Sequence, residues 1–557
     1  MKKLILGSFM FMGFLSFSQD NGYFFGGLES NSQWLVPDEK IGFDAPEDRF
    51  RANNYVQFNY SLGKFTAGVQ YEAYLPTVLL GYSPTWENQN GIGTYYLNYK
   101  NETLDITGGY FYEQFGNGLI LRTWEDRQLG INNALKGLRV KFTPTADLQL
   151  TGVYGQIRNG FDVSEGVMQG LDANVDLTGL LKVDDFDVKL GASYVGRYQS
   201  NGANDSIPAN INAYGGRLDF VVKNFYGGVE AITKDPDVVV TEGAVASPQL
   251  FDGTALQVNL GYAQKGLGIS STFRRLENFS FYADRYAEGN VYNEQIVNYV
   301  PGLTKQHDYL LSNIYVYTAQ PRLLFSDTEK RAGEVGTQVD VYYSFDKESF
   351  LGKLGTKLAG NFSYWAGLEA TYNDAEQTYD PKFIGKGDRY FRDLNIELKN
   401  RWNSKWSSVA TFQDVIIDKG VAEGGPLGTQ GDIRAQIGVI EATRRFEGGK
   451  ALRMELQHLW VDKRGKVADR KLDRKNWAAA VLEYNFSSAF TLYAADAWNY
   501  EGEGKIHYYS FGGSYSKGPA RFALNYGRQR GGLICVGGVC RYVPENTGVT
   551  ANLVVTF

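Results

Sequence analysis

Beyond residue 18 the chain has no apolar run of the roughly 20 residues that a transmembrane helix requires. It also has little of the usual chemical equipment, with 2 Cys and 3 His in 557 residues. Of the three histidines, His307, His458 and His507, the last two fall in strands with no Ser or Asp beside either in a recognisable motif, and so few leave no nucleophile, base and orienter to assemble, so a catalytic role is not expected. No cofactor or metal ligand set is visible either. Proline is sparse, at 14 residues, and no Pro-, Ser- or Gln-rich tract or charge block marks a linker. A single soluble core rarely grows past about 250–300 residues before the chain divides. One closed architecture therefore fits an unbroken chain of this length better than several soluble domains. The net charge of −6 gives no basic face of the kind nucleic acid selects.

What the chain does have is glycine (65), tyrosine (38) and phenylalanine (34). The mean hydropathy of −0.33 suits a soluble protein at first sight. It suits equally a membrane barrel with a wet interior, because only alternate strand residues then face lipid. The start reads as a leader: Met1-Lys2-Lys3 is basic, Leu4 to Phe17 is apolar, and Ser16-Phe17-Ser18 offers small residues to a signal peptidase. Residues 1–18 are expected to be a signal peptide cleaved before Gln19, with 19–557 forming the barrel. No Cys follows the cleavage point, which argues against a lipoprotein; an uncleaved anchor is the alternative.

Twenty-four candidate strands run from 21–37 to 541–557, with 22–26 as the range. Alternation is clean in several: Leu256, Val258, Leu260 and Tyr262 share one face, and Leu394, Ile396 and Leu398 oppose Asp393, Asn395, Glu397 and Lys399. That pattern alone also suits a soluble sheet. The connections separate the two readings. Every second one is short, as at Leu62-Gly63-Lys64, Lys223-Asn224, Lys265-Gly266 and Lys517-Gly518-Pro519, while the others are mostly long, as at 38–50, 123–133, 237–251 and 286–331. Short turns at one end and long loops at the other are the outer-membrane barrel asymmetry. The fold class expected is all-β: a single large transmembrane antiparallel barrel with short periplasmic turns and long extracellular loops, in the outer membrane of a Gram-negative cell. Its partners would be outer-membrane lipid, the barrel assembly machinery during insertion, and other outer-membrane proteins if it belongs to a complex; nucleic acid is not expected.

The chain end carries a second mark. From Gly548, residues Val549, Ala551, Leu553, Val555 and Phe557 fall on one face and Thr550, Asn552 and Thr556 on the other. An apolar last strand ending in Phe557 is what an insertion signal and closing strand need, since an open edge in lipid leaves backbone groups unsatisfied. Cys535 and Cys540 flank Gly-Gly in the loop before it and read as a small structural disulfide, export giving an oxidising setting. Residues 114–137 contain Arg122, Glu125, Asp126 and Arg127, which would form a lumen constriction if that loop turns inward; solvated surface ion pairs are the plainer reading. In the longest loop, 286–331, His307, Leu310, Leu311, Ile314 and Tyr315 recur at helical spacing, and a short packed helix is expected.

The runs Tyr112-Glu113-Gln114-Phe115-Gly116, Ile120 to Glu125, Leu303-Thr304-Lys305-Gln306-His307, and Gly532 to Cys535 with Arg541-Tyr542 resemble those of a family of Bacteroidota outer-membrane barrels catalogued as a domain of unknown function. The resemblance implies the fold and compartment and supplies no activity or site residues. Three functions are compatible: a channel for polar solutes, a non-catalytic subunit or scaffold of a larger secretion, assembly or nutrient-uptake complex, and a ligand-binding transporter with a loop-plugged lumen. A receptor with a globular N-terminal plug is not expected, because strand alternation begins almost at once after the leader.

Overall fold

A computed structural model of the protein describes residues 22–79, 84–181, 186–202, 204–241, 243–292, 294–326, 329–423, 431–462, 475–502, 504–536 and 539–557. The leader 1–18 and the connection 464–474 lie outside these. Twenty-four strands form the wall among the described residues. They are β1 (Tyr23–Leu35), β2 (Phe50–Leu62), β3 (Phe65–Tyr74), β4 (Asn90–Lys100), β5 (Leu104–Phe111), β6 (Leu135–Thr145), β7 (Leu148–Asn159) and β8 (Asp162–Asp176). Next come β9 (Asp187–Tyr198), β10 (Asn210–Val222), β11 (Phe225–Thr241), β12 (Ala244–Gln264), β13 (Leu267–Glu277), β14 (Gly333–Ser344), β15 (Lys357–Gly367) and β16 (Arg389–Asn400). The last are β17 (Trp406–Asp418), β18 (Asp432–Arg445), β19 (Ala451–Val461), β20 (Trp477–Asn485), β21 (Phe490–Trp498), β22 (His507–Lys517), β23 (Ala520–Gln529) and β24 (Asn546–Thr556).

Each strand pairs antiparallel with the next in sequence, and β24 pairs back onto β1 from Leu35↔Gly548 to Gly27↔Thr556. The seam runs to the last residue: Gly26 N donates to Phe557 O at 2.9 Å and Phe557 N to Gly26 O at 3.0 Å. The sheet is thus a closed up-and-down barrel with no free edge.

All twenty-four expected strands are present, with local differences; the strand expected over 267–285 ends at Glu277, where the chain turns into the lumen, and four others follow. The expected strand 104–122 ends at Phe111, because the chain turns into the lumen there; its alternation continues in short inward hairpins rather than in the wall. The eighth strand begins at Asp162, not near 170, so β7 and β8 join in a tight turn. The segment 237–251, read as a loop, extends β11 and β12 as a long hairpin, with Val238, Val239, Val240 and Phe251 buried. The helix expected around 307–315 is absent: the segment is irregular, and burial follows Tyr309, Leu311, Tyr315 and Tyr317 rather than a helical stripe. Leu310, which would lie on that stripe, is exposed.

The outward face explains why the wall is a membrane wall. Its middle is apolar and uncovered, with Leu97, Leu171, Leu260, Ile440 and Leu456 all more than half exposed. Aromatic residues border that band: Tyr23, Phe65, Phe225, Trp406, Phe490 and Phe557 near the short turns, Trp34, Tyr154, Tyr198 and Trp460 near the loops. Aromatic girdles around an apolar zone are what a lipid bilayer selects. The short connections gather at the end that holds Tyr23 and Phe557; two carry short helices, α1 (Leu177–Leu181) and α2 (Phe350–Lys353).

The inward face changes character along each strand. On β19 it reads Arg453, Glu455, Gln457, Leu459 and Val461 from the turn end upward, and on β16 Lys399, Glu397, Asn395, Asp393 and Phe391. The turn-side half of the lumen is polar, and the loop-side half is lined for packing.

At the closing seam a Cβ on Gly548 would lie 2.3 Å from Trp34 O, closer than any side chain tolerates. Gly548→Val is expected to lower barrel stability by about 1–3 kcal/mol, as overpacking does. The measurement is the urea midpoint of the folded band in a heat-modifiability gel; Val549→Leu, facing lipid, should leave it unchanged.

Candidate functional site

Three loop segments descend into the loop-side half of the barrel. The first, 112–134, follows β5. It forms two small hairpins, Gln114–Phe115 with Leu121–Arg122 and Glu125–Asp126 with Ile131–Asn132. Phe115, Leu119, Ile120 and Leu121 are buried against inward side chains of the wall, including Val153, Ile157, Val195 and Ile211. Its turn is held by Glu230 of β11, whose Oε2 accepts from Asn117 N at 3.0 Å and Asn117 Nδ2 at 2.7 Å. The opposite side reaches β1–β3: Arg127 donates to Glu29 at 2.5 Å and Gln70 at 3.0 Å, and its guanidinium lies over the Tyr55 ring.

The second segment, 278–332, is the longest. Phe279, Phe281, Ala283 and Val297 join the same core. Arg285 clasps Asp237 of β11 at 2.9 Å, where Arg197 of β9 also binds at 2.8 Å. From Leu303 the chain crosses the lumen as a strap. Trp365 Nε1 donates to Leu303 O (2.8 Å), His307 Nε2 pairs with Asn395 Oδ1 (3.2 Å), and Tyr309 bonds Thr411 (3.1 Å). Leu311 N then donates to Gln457 Oε1 at 2.9 Å. The strap's Tyr309, Leu311, Tyr315 and Tyr317 pack into a second core with Trp365, Phe391, Val415, Ile417 and Leu459. It ends on Glu334 of β14, which accepts from Tyr317 OH (2.5 Å) and Arg274 (2.6 Å). Burial, and the Lys305 ammonium beside it, hold the His307 imidazole below its ordinary range against the pull of Glu397.

The third segment is a hairpin, Gly532–Val536 with Val539–Val543, joined by the Cys535–Cys540 disulfide. It lies over the second segment: Arg541 donates to Tyr292 O at 2.8 Å, and Arg530 at its base donates to Asn313 O at 2.7 Å.

Two adjoining cavities, about 480 and about 660 Å³, remain between these segments and the wall. Both are lined by Gln33, Gln128, Asn525, Gln529 and Thr550. The first reaches Glu29, Asn31 and Asn552 at mid-height of β1 and β24; the second reaches Gln306 and Asp308 of the strap and Tyr493 of β21. Together they follow the wall from the lid hairpin to mid-lumen, above its polar turn-side half.

The structure divides the four charged residues expected at a constriction. Glu125 and Arg127 come together, at 3.3 Å, with Arg127 on the cavity wall. Arg122 points elsewhere, its guanidinium 3.7 Å from the Tyr299 ring centre and 4.8 Å from that of Trp124. Asp126 caps its own turn, accepting from Leu129 N at 2.8 Å. Gly548 and the strand to Phe557 lie in the seam, with Leu553 and Val555 on the apolar side and Phe557 against Phe58. The histidines are dispersed: His307 lies in the lumen, His458 outside against Tyr500, and His507 at the outer rim with Asp496. Among the described residues no cluster of three metal-ligating side chains occurs.

Sequence reasoning did not single out Gln33, Asn525, Gln529, Thr550 and Asn552, which look like any lumen-facing polar residues. The plugging itself had a readable signal: inward positions turn apolar toward the loop end of many strands, which a water-filled lumen would not require.

The class is therefore a closed β-barrel whose loop-side lumen is packed by its own loops. The chain belongs to a family of unknown function (DUF6029), whose model matches residues 1–557. No curated protein matches it. Among solved structures it is similar to the siderophore receptor PirA from Pseudomonas aeruginosa (7% identity, 97% of this chain and 81% of that one, TM-score 0.43). It is also similar to the P pilus usher PapC translocation pore (10%, 96% and 100%, 0.43) and to Pseudomonas aeruginosa OccK5 (13%, 79% and 98%, 0.33). At these scores nothing about function is carried over from them.

Arg127→Ala would leave Glu29 beside the plug without its cation. The pair is partly shielded, so the expected loss is about 1–3 kcal/mol in seating of the first segment. Hydrogen exchange should quicken across 123–134 and stay unchanged across 278–300.

Proposed function

We propose that the protein is a non-catalytic outer-membrane transport barrel that passes small polar solutes along a narrow, loop-gated path. The single observation that supports this reading is the pair of adjoining cavities along β1 and β21–β24, which lead down from the lid to the polar lower lumen. The path is edged on the plug side by Arg127 and Gln128 and on the wall side by Asn525, Thr550 and Asn552. Such groups exchange hydrogen bonds with a hydrated solute without holding it by shape. In this reading Arg127, paired with Glu125 and Glu29, sets the charge at the path's edge. Export by a cleaved leader and insertion by the barrel assembly machinery belong to the same proposal.

The apolar cores that seat the loops favour a second reading, a rigid scaffold within a larger outer-membrane complex. Planar-bilayer recording of the purified chain separates the two. Steady ion-conducting steps are expected for the transport barrel. A silent barrel that leaves gently solubilised membranes with stoichiometric partners would overturn it.

The strap should make the path acid-sensitive. A histidine held below its ordinary pKa of 6.5 opposes protonation in the seated state. Seating is therefore weakened as pH falls below 6.5 through the lower seated value. Conductance is expected to rise between pH 7 and pH 5, and His307→Gln should flatten that dependence.

A further inference from the structure

The second of the two cavities along the path carries aromatic rings at two heights. Trp477, Tyr493 and Tyr508 line it from the inward faces of β20, β21 and β22. Tyr508 and Trp477 stack, with ring centres 5.7 Å apart and planes 21° from parallel, and the Tyr508 hydroxyl is held by Glu545. Tyr493 stands lower. The register sets Tyr508 level with Ala497, four residues up β21 from Tyr493, so the two tyrosine backbones stand about 13 Å apart along the wall at ordinary strand rise. The neighbours at both heights are small: Ala497 opposite Tyr508 and Gly512 opposite Tyr493, with Ala495 and Ser510 between them. Small neighbours leave both rings partly open to the cavity, and both tyrosines are half-buried.

The rest of the lining is mostly uncharged. Gln33, Gln128, Asn313, Asn525 and Gln529 present amides, each of which both donates and accepts. Charge at the cavity sums to zero. Arg528 is neutralised by Asp38, donating to its two oxygens at 2.7 and 2.9 Å. Arg530 donates to Asn313 O at 2.7 Å, and its charge is offset by Asp308 of the strap, which lines the same cavity. Asp308 is exposed and, among the described residues, makes no hydrogen bond or ion pair. Trp477 adds a donor, since its buried Nε1 meets no acceptor among the described residues. A ligand suited to this lining has flat apolar faces for the rings, hydroxyls at its edge for the amides and Asp308, and no net charge.

We propose that this cavity binds a neutral oligosaccharide, which makes saccharides the solute class of the path; the inference rests on the transport reading above. A pyranose ring offers C–H groups on its faces and hydroxyls around its edge. Packing those faces on Tyr508 and Tyr493 removes apolar surface from water, while the amides and Asp308 exchange hydrogen bonds with the hydroxyls. Two aromatic platforms at different heights of one path suit a chain of sugar units, which reaches the second before it has left the first. The cavity volume of about 660 Å³ lies within the roughly 300–1,000 Å³ of small-ligand sites. Contacts of this kind are shallow and divided between two places, so the solute is held weakly enough to leave.

The test is saturation-transfer difference NMR on the full chain purified in detergent, with maltotriose, cellotriose, trigalacturonate and trialanine as separate probes. Maltotriose or cellotriose is expected to bind with a millimolar dissociation constant, and trigalacturonate and trialanine about tenfold more weakly. Tyr508→Ala and Asp308→Ala should each weaken saccharide binding about tenfold, and Tyr508→Phe should largely retain it. Asp308 is exposed on the strap, and heat-modifiability reports that each variant remains folded. Binding of neither neutral trisaccharide would overturn the proposal. So would equal or tighter binding of trigalacturonate or trialanine, or saccharide binding indifferent to both alanine variants. Conductance is read separately. A barrel that conducts yet binds no saccharide sinks this inference alone, and one that binds saccharide yet never conducts sinks the transport reading alone.

Discussion

A backbone crossing lipid must bond to itself, and the rest of this molecule follows from how that requirement is met. The wall satisfies it by pairing every strand with its neighbours and returning β24 to β1 along the length of the seam. Once the ring is closed, each strand has one face for lipid and one for the lumen. The lumen of a ring this large cannot be filled by wall side chains alone. Loops fill its upper half, and their own backbone groups then need partners away from bulk water. The wall supplies them through polar side chains placed at the right height: Gln457 for Leu311 N, Glu230 for Asn117 N and Glu334 for Gln320 N.

The filling is uneven. One apolar core lies against β5–β13 and the other against β15–β21, and each seats a loop by burial. Beyond Tyr508 of β22, which packs on the second core, neither reaches into the arc formed by β22–β24 and β1, where most of the facing groups are polar. Polar groups facing one another can trade partners with water at little cost, whereas opening either core would expose aromatic surface. Any path through the molecule is therefore confined to the arc where wall and plug meet through polar groups.

Much of the wall was legible in the sequence because strand alternation and the phase of the connections are local properties. Period two fixed the lipid-facing set at 394–398 and 549–557, and the short turns fixed which end faces which way. Interior structure was less legible. The alternation after Phe111 continues into hairpins that leave the wall, and nothing local marks the departure. At 307–315 the helical spacing points to a helix, but an extended strap through a packed lumen buries residues on whichever sides meet the wall. Arg122 and Arg127 are five residues apart and end on different aromatic faces, since the turn at Asp126 sends them in different directions. Charge in a loop shows that partners exist and leaves open which ones.

The lid hairpin closed by Cys535 and Cys540 precedes β24, the strand that seals the ring, with only a few residues between them. Covering the mouth and completing the wall therefore fall to one short stretch of chain. The strap and the first inward segment lie beneath that hairpin and belong to parts of the chain made earlier. Cover and closing strand are thus tied together by sequence, while what they enclose comes from further back along the chain.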